Sequence, residues 1–210
     1  MHIRSSGVPS RRRILQAPVA QSSQSVRVSV DPRAELISIV QAISRYGDIL
    51  PFLLSSADFP YKQTVVDHFS AFKDHPVVTL FDEVSSQPRM FNFMAPPTTM
   101  LYVTPELTPR NDVVWPESVL ARIGGRDRLA IFLDHLRDFA MASGFDGFYR
   151  DHATFYEQLV AGVIPKLGTH DYVAELEAFY GRRLPRLVVH GRSRRSVATG
   201  NLSLSPGVCL

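Results

Sequence analysis

Four histidines in this 210-residue chain directly follow an aspartate: Asp67-His68, Asp74-His75, Asp134-His135 and Asp151-His152. A fifth pair, His170-Asp171, has the reverse order. A carboxylate that orients an imidazole is the usual arrangement for a general base or a metal ligand. Adjacent residues of a helix, however, point about 100° apart and do not face each other. None of these dipeptides is therefore a dyad by itself. Zinc bound on a helix needs His at positions i and i+4, as in His-Glu-x-x-His. No two histidines of this chain have that spacing. His68 and His75 are seven apart, but Pro76 starts a new element between them and any common face.

Taken singly, His152 stands out because it lies four residues after Phe148 and four before Tyr156. That places it on an apolar helix face, where a hydrogen-bonded core imidazole is expected and a ligand or general base is the sharper alternative. His135 is spaced to pair with Asp138 at i+3, and His75 precedes a proline, which suits a helix cap. Asp134 and Asp138 share a face at i, i+4 and are read as a solvated acidic surface. No Gly-x-Ser-x-Gly and no Walker-type glycine-rich loop is present. Gly124-Gly125 is a turn, and Cys209, the single cysteine, sits in a tail that no core would position. One cysteine also excludes an intramolecular disulfide. The sequence thus nominates no catalytic, cofactor-binding or metal-ligating residue.

The charges divide the chain into three parts. Residues 1–30 carry five Arg and no acid, and residues 178–210 carry six Arg and no acid. Residues 31–177 hold all 20 acidic residues and 12 basic ones, so the expected folded core is acidic. The net charge of +3 is a sum of unlike parts rather than a basic surface. Arg11-Arg12-Arg13 and the run from Arg182-Arg183 to Arg194-Arg195 are the only signals for nucleic acid, which such tails bind without sequence preference. Nucleic-acid binding is not the expected role. Ser10 to Gln16 resembles a twin-Arg export signal, but Gln16, Pro18 and the following Gln-Ser-Ser-Gln-Ser leave too short and too polar an apolar segment. A disordered leader is expected, with cytoplasmic residence as written and export if that segment is a signal remnant. No stretch approaches the 18 or so apolar residues of a membrane span.

The elements follow from periodicity. Val26, Val28 and Val30 alternate as a short strand, and Asp31-Pro32 starts a helix with Leu36, Ile37, Val40 and Ile43 on one face and Gly47 as its stop. A helix from Pro60 aligns Tyr61, Val65, Phe69 and Phe72; another from Pro76 aligns Val77, Leu80, Phe81 and Val84. A short helix or strand is expected near Thr98–Val103, then a loop to Asp112 and a short helix after Trp115-Pro116. Leu129, Phe132, Leu133, Leu136 and Phe139 make a clear stripe that Ser143-Gly144 ends. Asp146 is expected to cap a helix bearing Phe148, Phe155, Tyr156, Leu159 and Val163, interrupted at Pro165 and Gly168. His170 to Tyr180 predicts a last helix with Val173, Leu176 and Phe179 inward, and Leu184 to Val189 a strand. The expected fold is mainly α: a compact domain of roughly seven helices over 26–189 with one or two short strands. Disordered basic tails are expected at 1–25 and 190–210.

Three stretches carry a resemblance: Val30 to Ile39; Tyr61 to Val78, with Phe72-Lys73-Asp74-His75-Pro76-Val77-Val78; and Phe132 to Tyr156. Over about 30–189 the chain resembles a bacterial domain-of-unknown-function family regarded as gluzincin-type zinc metallopeptidase-like proteins. These are structural motifs, and none carries a catalytic residue. The resemblance implies a His-Glu-x-x-His motif and zinc well downstream in a full-length relative; this chain has neither motif nor implied cofactor. Beyond His190 the pattern and all acidity are lost, which suggests a shifted frame or an early stop. The expected function is therefore that of the N-terminal helical part of a metallopeptidase-like protein, inactive as this chain. Self-association through an apolar docking face is the partner expected of it. A free-standing helical module that binds protein or nucleic acid with its basic tails is the alternative.

Overall fold

The computed structural model describes residues 15, 19–23, 26–49, 60–86, 91–181, 187–191 and 204–206. The mainly α class is as expected, with ten α-helices among the described residues. Strands β1 (Val19–Ser23) and β2 (Val26–Val30) lead into helices α1 (Pro32–Ile43) and α2 (Arg45–Ile49). α3 (Pro60–Phe69) ends in a 3-10 turn at Ser70–Phe72, and α4 (Pro76–Ser85) follows. α5 (Ala95–Thr99) runs into a 3-10 turn at Met100–Tyr102. Then come α6 (Glu117–Ile123), α7 (Arg126–Ala142), α8 (Phe145–Asp151), α9 (Ala153–Leu167), α10 (Tyr172–Tyr180), β3 (Leu187–Gly191) and β4 (Leu204–Pro206).

The strands are more numerous than the one or two expected. Their order is β1-β2-β3-β4. β2 pairs antiparallel with β1 and parallel with β3, in a register running from Val26 opposite Leu187 to Val30 opposite Gly191. β4 closes the sheet antiparallel to β3. The helical body is thus one long excursion between two neighbouring parallel strands. β1 and the buried Leu15 lie in the stretch read as a disordered leader, and β4 in the tail. Neither Val-Ala-Gln-Ser-Ser nor Leu-Ser-Pro alternates, so only long-range pairing makes them strands. The Arg clusters at 11–13 and 182–195 and Cys209 lie outside the described residues.

α1 is central and packs against α2, α3, α4 and α5. Asp31 caps it as the sequence predicts, accepting from the Arg33 N–H at 2.8 Å, with Pro32 at the first helical position. The Arg33 guanidinium returns to the Asp31 carboxylate and also donates to the Val103 carbonyl. One charged pair thereby ties the start of α1 to the loop after α5.

Gly47 does not end α1. Ser44 does, in an extended conformation with its hydroxyl on the Gln41 carbonyl at 2.8 Å. Gly47 instead sits inside α2, which folds back so closely that a Cβ there would lie 2.3 Å from the Ala42 carbonyl oxygen. Asp82 of α4 holds this bend by accepting from the backbone N–H groups of Arg45 and Tyr46. The Tyr46 ring meets Phe81 edge-on at 6.0 Å.

The stripe of α7 is buried as predicted: Leu129, Phe132, Leu133, Leu136 and Phe139 all face the core. α6 ends at Gly124, whose φ of 94° is the left-handed conformation that a residue with a Cβ adopts at a cost. The helix expected from Asp146 is two helices, broken at His152, and its N-cap is Gly144. Pro165 lies inside α9 rather than interrupting it; the stop is Gly168. On α10 the inward residues are Val173 and Leu176, both partly buried, but Phe179 is 80% exposed and not inward. At about 100° per residue a spacing of three drifts by about 60° at each step, so Phe179 lies about 120° around the helix from Val173. Leu80 of α4 is likewise only partly buried. The strand expected at Leu184 to Val189 is β3, Leu187–Gly191, and residues 184–186 lie outside the described residues.

Candidate polar site at the sheet–helix junction

α1 is almost wholly buried, and three of its interior residues are polar: Glu35, Ser38 and Gln41. Buried polar atoms need partners, and each has one. Ser38 donates to the Ala34 carbonyl at 2.7 Å, and the Gln41 amide donates to the Phe93 carbonyl at 3.3 Å. Glu35 accepts a 2.6 Å hydrogen bond from the Tyr61 hydroxyl of α3. Tyr61 has one proton and directs it at the carboxylate, so its oxygen accepts from Tyr156 of α9, 2.7 Å away. Tyr149 of α8 stacks on Tyr156 at 4.7 Å and donates to the Val30 carbonyl at 2.7 Å. The chain of donors Tyr156–Tyr61–Glu35, with Tyr149 beside it, therefore joins four helices to the end of β2.

Electrostatics define what this cluster does. Burial pushes the Tyr61 phenol far above its ordinary value, and the Glu35 carboxylate and Tyr156 push in the same direction. Tyr156 is raised for the same first reason, with Glu35 next. Both shifts favour the protonated phenols that donate these hydrogen bonds. Glu35 is 1% exposed. The cluster ties secondary-structure elements to one another.

Four of the imidazoles, those of His68, His75, His152 and His170, are committed in the same way. His68 donates its Nε2–H to the Ser143 carbonyl at 3.0 Å, and Asp67 accepts from Gln63 instead. His152 donates Nδ1–H to the Phe148 carbonyl at 2.8 Å. Its ring lies against Phe148 at 4.2 Å and edge-on to Tyr61 at 5.3 Å. This is the hydrogen-bonded imidazole on an apolar face that the sequence predicts. His170 donates to Glu175, while Asp171 caps α10. Asp134 pairs with Arg137.

His75 caps α4 as expected: its Nδ1 accepts from the Val77 N–H at 3.3 Å. Nε2–H is then free to donate to Asp138 at 3.2 Å. Asp138 thus serves His75 of another helix and not His135, the partner its i+3 spacing suggests. Replacing His75 with Ala should cost about 0.5–2 kcal/mol by removing the cap. Asn at that position keeps a capping oxygen and should recover most of the loss. Urea unfolding of both variants checks this; equal losses would mean that the Asp138 contact matters and the cap does not.

Whether these residues suit zinc is a question of donor geometry. Zinc requires three or four N, S or O ligands converging on one point. Among the described residues no group of three His, Cys, Asp or Glu side chains could hold a metal ion. The described residues do not fit zinc. Among the same residues, no helix is long and apolar enough to cross a membrane.

Sequence reasoning places Tyr61 and Tyr156 on apolar faces and passes over Glu35. A signal is present: Glu35, Ser38 and Gln41 recur every three residues on a helix whose other residues, Arg33 apart, are apolar. That spacing reads equally well as a solvent stripe until the surrounding helices are placed. No curated protein and no solved structure matches the chain. Residues 26–193, most of the chain, match the family described as Domain of unknown function (DUF4932), and the chain belongs to that family.

Proposed function

We propose that this chain is the helical scaffold part of a zinc metallopeptidase-like protein and has no peptidase activity of its own. The observation that carries the reading is the commitment of one buried acid and four imidazoles. Glu35, His68, His75, His152 and His170 each bind an internal partner, and the two buried phenols are held protonated. A scaffold uses polar groups this way, whereas a hydrolase directs them at a cleft. The metallopeptidase relationship rests on the resemblance of the three sequence stretches.

Two measurements test it. Purified protein dialysed against zinc should retain far less than one equivalent and show no chelator-sensitive hydrolysis of casein. Stoichiometric zinc with such hydrolysis would overturn the claim of inactivity. The relationship itself is tested on the coding DNA, translated in all three frames after the Val189 codon. A His-Glu-x-x-His there supports it, and absence of the motif over a long stretch removes it. Self-association belongs to the same reading. Ile131 and Met141 on α7 and Phe179 and Tyr180 on α10 present large apolar groups to solvent. Sedimentation at rising concentration should show dimers or larger species; a monomer throughout removes this part.

A further inference from the structure

We draw no further inference here: the strongest candidate, the half-exposed Phe93–Met94 surface pair that Gln41 and Tyr46 hold in a left-handed turn ahead of α5, is an apolar patch, and nothing in the structure shows what covers it.

Discussion

Replacing Gly47 with Ala should destabilise the protein by about 1–3 kcal/mol, the range for forcing an extra methyl into a packed interior. The cause is distance, not backbone freedom. A Cβ at this position would stand 2.3 Å from the Ala42 carbonyl oxygen and 2.8 Å from that of Gln41. Both obstacles are backbone, so no side-chain rotation relieves them. Relief requires α2 to swing away from the end of α1. That movement would disturb the hydrogen bonds from Arg45 and Tyr46 to Asp82, and with them the Tyr46–Phe81 contact. The hydrogen bond from the Phe93 N–H to the Tyr46 hydroxyl would be disturbed as well. For a domain of this size the expected fall in melting temperature is about 2–4 °C per kcal/mol. Thermal and urea unfolding measure it. A Gly47→Ala protein as stable as the parent would mean that α2 does not approach α1 this closely.

The second large effect is expected at Tyr61. Tyr61→Phe removes the 2.6 Å donor to Glu35 and the acceptor for Tyr156 together. Weakening the satisfaction of buried polar groups costs about 1–3 kcal/mol, and more for a charged one. A double-mutant cycle with Glu35→Gln isolates the pair, and a coupling of about 0.5–3 kcal/mol is expected for groups in one network. Additive losses would count against the bond. The alkaline limb probes the same contact in a second way. Both phenols are raised in the folded protein above the ordinary phenol value of 10.0. Below that value they are protonated in both states and contribute no pH dependence. Above it the unfolded chain ionises first and releases protons that the folded chain keeps, so stability falls as pH rises. Tyr61→Phe should make that fall shallower, measured by urea unfolding on either side of pH 10. An unchanged slope would show that Tyr61 ionises as freely in the folded protein as in the unfolded one.

Local rules are sufficient wherever one element answers to its own residues. Asp31-Pro32 and His75-Pro76 start helices because a side-chain acceptor and a fixed φ act within one turn. The α7 stripe is buried because five large apolar groups at helical spacing must share one face. Four features stay out of reach because each depends on a partner far along the chain or on a close approach between elements. Gly47 reads as a helix stop, since a glycine needed for clearance and a glycine needed for a turn are the same letter. Asp138 pairs with His75, 63 residues away, and not with the His135 that shares its helix, because packing of α4 on α7 brings the imidazole to it.

The sheet and the buried acid follow the same logic. The Val-Arg-Val-Ser-Val alternation of β2 announces a strand but not its neighbours, and β3 is supplied from the other end of the helical body. Glu35 becomes an interior residue only when α3 and α9 bring two phenols across it. Residue order along this chain determined the longer helices, several of their caps and most of the apolar faces, because backbone hydrogen bonds and hydrophobic period act over a few residues. Which polar groups are buried, which partners satisfy them and which strands lie side by side depended on the assembled helices. Those choices are made by desolvation and long-range contact, and no short window of residues encodes either.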